Sequence, residues 1–224
     1  MSLTLSITGN SSTLTTYYPN TLQLNGQYEC ALLHFSTFNS IPNIDETNNK
    51  FYYGSEIIEI PEGTYELQDI SDYLKSEIKG TSIKLDCNNN TLKTTLYCSK
   101  DVNFEKENTF RRLLGFDKQV LKGNKWHVSQ FPVNILPTTV VRIECDIISG
   151  SYINGEPSHI IHEFALNVPP GYRIIEIPKN AIYFPINQNN ISCIHIRLLD
   201  INNRLINLRG EEVQVYLHLR RKND

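Results

Sequence analysis

Hydrophobic and polar positions alternate with a period of two along most of the chain. Leu3, Leu5 and Ile7 alternate with Thr4 and Ser6 in a first strand that ends at Gly9-Asn10. Residues 27–38, QYECALLHFSTF, predict a long strand that is apolar on both faces near Leu32 and Leu33, as in the middle of a sandwich. A polar loop, residues 40–50, leads to a strand at Phe51-Tyr52-Tyr53, and residues 82–97 predict a hairpin turning at Asn88-Asn89-Asn90. In the second half Val141, Ile143, Cys145 and Ile147 share one face. So do Ile194, Ile196 and Leu198, and later Val213, Val215, Leu217 and Leu219. Further strands are expected at residues 159–166 and 173–177, separated by Pro169-Pro170-Gly171, while residues 150–157 form a loop. Such alternation leaves one face dry and one wet, as in packed antiparallel sheets.

The period breaks in residues 56–78. Ile58 and Ile60 share a strand face, Pro61 ends the strand, and Gly63 permits a sharp turn. Ile70, Tyr73, Leu74 and Ile78 then follow helical spacing, with Asp69 as N-cap and Gly80 as the stop, so a helix is expected near residues 68–79. Phe110, Leu113 and Leu114, ahead of Gly115, predict a short helix near residues 108–115. Residues 118–137 read as a long irregular connection carrying the single tryptophan, Trp126. The pentapeptide Ile-Ile-Glu-Ile-Pro occurs at 57–61 and again at 174–178, which fits either two halves of a jelly roll or chance. The expected fold is all-β: a single jelly-roll sandwich of two antiparallel sheets forming one domain, residues 1–224.

Composition adds mostly exclusions. Net charge is −3, so no basic field points to nucleic acid, and Arg220-Arg221-Lys222 reads as the solvated end of a strand. The 24 asparagines cluster in turn-like positions, which implies many short elements. Five cysteines without close pairs make neither a disulfide framework nor a zinc motif, and favour a reducing compartment. The opening residues lack the charged and apolar regions of a secretory leader, and no apolar stretch approaches the roughly 20 residues of a membrane span.

His159, His162 and Glu163 are the best metal candidates. On a strand, however, residues three apart face opposite sides. There is no GxSxG elbow, P-loop or GxGxxG, and His34, His127, His195 and His218 are scattered. No catalytic, metal or cofactor residue is therefore expected. An interaction or assembly protein is the best reading of the residues themselves.

Six stretches carry a resemblance. In order they are FSTFNSIPNIDETNNKFYY (35–53), IEIPEGTYELQDISDYLKSEI (58–78), FRRLLGF (110–116), SGSYINGEPSHIIHEF (149–164), VPPGYRIIEIP (168–178) and LINLRGEEVQVYLHLR (205–220). Together they resemble the minor capsid protein, or penton, of Polinton/Maverick elements and related adintoviruses. The resemblance implies a homopentameric capsomer at a fivefold vertex of an icosahedral virion, made inside the host cell and not secreted. Its partners would be its own copies and a double jelly-roll major capsid protein, with no direct nucleic-acid binding and no membrane. A cyclic ring needs two different patches per subunit. The long loops 40–50, 118–137 and 150–157 are expected to supply them, with Trp126 and Phe131 as oligomer-interface anchors. Trp126 could instead cap its own core. The alternatives in function are a domesticated host copy, or a lectin-like or TNF-like jelly-roll binding module.

Overall fold

A computed structural model describes residues 2–78, 83–136 and 138–222. The first strands are β1 (Ser2–Gly9), β2 (Thr13–Gln23) and β3 (Tyr28–Phe38). Then come β4 (Lys50–Tyr53), β5 (Glu56–Glu59), helix α1 (Leu67–Glu77), β6 (Ile83–Asn88), β7 (Lys93–Cys98), β8 (Val102–Asn103), β9 (Val120–Leu121) and β10 (Lys125–Pro132). The remainder comprises β11 (Val140–Cys145), β12 (Ser151–Ile153), β13 (Glu156–Ser158), β14 (Ile160–Ala165), β15 (Arg173–Glu176), β16 (Phe184–Pro185), β17 (Asn190–Leu199) and β18 (Val213–Arg221). The chain packs as two compact units: unit 1 is Met1–Ile41 with Thr138–Asp224, and unit 2 is Pro42–Pro137.

Unit 1 holds the jelly roll. One sheet has the order β1-β18-β3-β15, with β16 also on β3, and the other has the order β14-β11-β17-β2. All these pairings are antiparallel. Numbering the eight long strands 1 to 8 along the chain gives orders 1-8-3-6 and 5-4-7-2. First pairs with last, second with seventh, third with sixth and fourth with fifth, which is the jelly-roll winding. The alternating residues face inward as expected: Ile143, Ile194, Ile196, Val215, Leu217 and Leu219 are fully buried in one core with Ile7, Leu32 and Phe35. Each such side chain contributes about 1.5–3 kcal/mol by leaving water. Residues 151–158 form a hairpin rather than a loop. Asn154 and Gly155, at φ 50° and 88°, make the two-residue turn that the strand twist favours.

Unit 2 lies between β3 and β11 in sequence. Its sheets have the orders β5-β4-β8-β9 and β10-β7-β6. Residues 56–78 therefore belong to this unit. The two Ile-Ile-Glu-Ile-Pro copies are not equivalent halves of one roll, since the first lies in unit 2 and the second in unit 1.

Helix α1 buries Ile70 and Leu74, with Ile78 also buried at its C-cap. Its N-cap is Glu66 rather than Asp69. Asp69 sits three residues in, and its carboxylate accepts the Glu66 N–H at 2.8 Å. The Gly80 stop falls outside the described residues. The helix expected near 108–115 contracts to a 3-10 turn, Phe110–Arg112. Asn108 at φ 58° and Gly115 at φ 77° close it from both sides. Its spacing still delivers Phe110, Leu113 and Leu114 to the core. Phe110 stacks on Phe51 at 5.6 Å, and Phe116 lies 5.5 Å from Phe104. Residues 118–137 are not irregular: they contain β9 and all of β10.

Candidate functional site

The expected metal candidates separate. His159 Nδ1 contacts the Ile148 carbonyl at 2.6 Å, His162 Nε2 contacts Glu176 Oε1 at 2.9 Å, and Glu163 pairs with Arg142. No group of three His, Cys, Asp or Glu among the described residues is placed to hold a metal. Burial pushes the Cys30 thiol up, and pushes Cys98 and Cys145 up to about 12, so these cysteines stay protonated and pack as small hydrophobes. One contact escaped sequence reasoning. Cys193 Sγ lies 3.6 Å from His195 Nε2, and His195 Nδ1 is 2.9 Å from Thr15 Oγ1. Strand spacing of two put Cys193 and His195 on one face, but Thr15 arrives only through the β17–β2 pairing.

Apolar side chains left in water give a more definite signal. In unit 1 four of them gather on β15 and beside it. Ile174 points into the core at 3% exposure, whereas Ile175 and Ile177 are 59% and 64% exposed. Beside them Phe38 is partly exposed, with the Arg173 guanidinium 5.7 Å from its ring centre, and Tyr172 is exposed. β15 is an edge strand, the position that natural sheets usually blunt with charge or proline.

In unit 2 three exposed apolar residues share β10, also an edge strand, where Trp126, Val128 and Phe131 are each more than half exposed. Trp126 leans on Tyr97 across the strand pair, ring centres 5.4 Å apart, and does not belong to the unit's buried core. The inward position is filled instead by Ser129, whose hydroxyl accepts the Thr94 N–H and donates to the Phe131 carbonyl.

The three loops expected to carry patches fare differently. Residues 40–50 are mostly interior. Ile44 is fully buried, and the Asn43 amide donates to the Tyr65 and Ile135 carbonyls. Residues 150–157 present an exposed Tyr152, and 118–137 present Trp126 and Phe131. Ile175 and Ile177 were missed as surface residues because an apolar residue in an alternating strand reads as core, and Val128 because residues 118–137 read as an irregular connection.

No helix among the described residues is long and apolar enough to cross a membrane. Neither a protein-family model nor a curated protein matches the sequence. Among solved structures, the crystal structure of the mavirus penton protein matches with a TM-score of 0.53 and 14% identity, over 98% of this chain and 99% of that one. The likeness shows a shared fold.

Proposed function

We propose that the chain is a minor capsid (penton) subunit, five copies of which form the capsomer at each fivefold vertex of an icosahedral capsid. The observation that carries this reading is the jelly-roll strand order together with a likeness to a viral penton protein that spans nearly the whole of both chains. On this reading residues 1–224 act as one jelly-roll subunit, with unit 2 as its long β3–β11 connection. The neighbours are other copies and a double jelly-roll major capsid protein. The role is structural rather than enzymatic, at the virion vertex, and without direct contact to nucleic acid or membrane.

A closed ring uses two different patches on each subunit. The β15 flank, with Ile175 and Ile177, supplies one, and β10, anchored by Trp126 and Phe131, supplies the other. Removing an isoleucine or phenylalanine of this kind from water contributes about 1.5–3 kcal/mol. The test is the mass of the purified chain in solution, with negative-stain images. Fivefold rings are expected, alone or on co-expression with the major capsid protein. A chain that stays monomeric in both cases, or forms a trimer, overturns the proposal.

A further inference from the structure

The 3-10 turn of unit 2 and the end of β10 enclose an open cleft of about 460 Å³. That is within the range of roughly 300–1,000 Å³ typical of ligand sites. The cleft is a built feature. Phe131 donates its N–H to the Gly115 carbonyl at 2.9 Å, and Asn134 donates to that of Leu113 at 2.8 Å, which clamps the strand end onto the turn. The approach is so close that a Cβ at position 115 would fall 2.2 Å from the Phe131 carbonyl oxygen, so only glycine fits.

Three cations line this cleft: Arg111, Arg112 and Lys118, against one carboxylate, Asp117. Phe131 and Pro132 form its apolar wall. None of the three cations has an ion-pair partner among the described residues. By contrast Arg142, Arg197, Arg204 and Arg220 each bind a carboxylate. Arg111 makes one long contact, 3.4 Å, to the Phe116 carbonyl. A local excess of unpaired positive charge in a net-negative chain, beside an apolar wall, is complementary to a short acidic segment that also carries an apolar side chain.

We infer that this cleft docks an acidic, extended peptide segment of a partner protein. Its carboxylates are held by Arg112 and Lys118 with Arg111 behind them, and an apolar residue packs on Phe131. A polynucleotide fits less well. Its phosphates need a row of cations that follows the strand, and here three cations converge on one pocket. The inference goes beyond the ring and does not depend on it, although Phe131 borders both surfaces.

The test uses the full chain and a labelled octapeptide alternating aspartate with leucine, followed by fluorescence anisotropy. A lysine–leucine octapeptide and an oligothymidylate of equal charge serve as comparators. The acidic peptide is expected to bind saturably and to weaken with salt. The double variant Arg112→Gln/Lys118→Gln is expected to lose about tenfold or more in affinity, as charge-assisted contacts would require. Both positions are exposed, so the urea midpoint should not move. Lys118→Glu gives a second variant with a larger loss. Absence of saturable binding, an unchanged affinity in the double variant, or oligothymidylate binding as tightly as the peptide each overturns the inference. Particle mass is recorded on the same samples. A chain that binds the peptide but forms no ring counts against the penton reading alone, and a chain that forms rings yet fails to bind the peptide even when diluted to monomer, where Phe131 is uncovered, counts against the cleft alone.

Discussion

The same five residues, Ile-Ile-Glu-Ile-Pro, are used in opposite phase in the two units. In the first copy Ile57 is 57% exposed, while Ile58 and Ile60 are buried. In the second copy Ile174 is buried, while Ile175 and Ile177 stand in water. Both copies lie on edge strands, β5 and β15. The difference comes from the partner strand. Ile58 lies opposite the buried Phe51, and Ile60 donates its N–H to the Asn49 carbonyl, which carries the first copy's inward face past the strand end. In the second copy Ile174 is opposite Thr37 and Ile175 opposite Ser36, and the core side of β3 takes the even-numbered residue. A strand has period two, so a shift of one residue exchanges its faces. Local sequence therefore specifies a strand here, and the neighbouring strand specifies which residues are core and which are available to a partner.

The largest expected effect is at the fourth position of the repeat. Ile60→Ala empties a fully buried site and should cost about 2–5 kcal/mol in urea unfolding. Ile177→Ala, measured where the chain is dilute enough to be monomeric, should stay within about 0.5 kcal/mol. Similar costs at both sites would break the comparison, because they would mean that Ile177 is core in solution.

The next test asks what the exposed phase is for. Ile175→Asp with Ile177→Asp should abolish rings in negative stain and reduce the particle to subunit mass. Far-UV circular dichroism and the urea midpoint should be retained, since both side chains already face water. Rings that survive the double change would remove the β15 flank from the interface. Ile57→Asp, on the exposed phase of the first copy, is the matched control and should leave the rings intact.

These two copies also mark how far the sequence could be read. The inward faces of β11, β17 and β18 and the buried stripe of α1 follow from periodicity alone, and so does the all-β class. Three features did not. β2, TLTTYYPNTLQ, is a thinly apolar edge strand interrupted by Pro19, so its alternation is faint. β10 inverts the usual pattern, with Trp126 and Val128 outside and Ser129 inside, and so reads as irregular until its pairing with β7 is seen. The division into two units depends on β3 pairing with β15 and β18, far along the chain. Of the exposed apolar residues, Trp126 and Phe131 were noticeable in the sequence because aromatic residues in a long connection stand out. Ile175 and Ile177 were not, because nothing local distinguishes them from Ile58 and Ile60.

A smaller effect is expected beside the exposed copy. Arg173 stacks over Phe38, and its Nη2 donates to Ser36 Oγ at 3.2 Å. Arg173→Ala should lower monomer stability by about 0.5–1 kcal/mol, the range for a cation over an exposed ring. In the first copy the cation comes from another strand end: Glu56 precedes Ile57 and pairs with Lys100, whose ammonium lies 5.0 Å from the ring centre of Tyr53, opposite Glu56. A neutral result at Arg173 would mean that it serves the interface alone.

The smallest effect belongs to the one charged residue of the repeat. Glu59 reaches Lys50 Nζ at 3.3 Å with its side chain 59% exposed, whereas Glu176 meets His162 Nε2 at 2.9 Å with side chains only 26% and 19% exposed. An exposed pair is worth about 0–1 kcal/mol, so Glu59→Gln should be close to silent. Glu176→Gln keeps an oxygen that can accept from Nε2–H, so it too should cost little, about 1 kcal/mol or less. The coupling energies, rather than the single changes, separate the copies. A double-mutant cycle of Glu59 with Lys50 should give a value near zero. The cycle of Glu176 with His162 should give a larger one, because that pair is better shielded and joins β14 to β15, the flanking strands of the two jelly-roll sheets. If the second coupling is also near zero, nothing charged fixes β15 against its opposite sheet. The outward set of its isoleucines would then rest on the register with β3 and on the burial of Ile174.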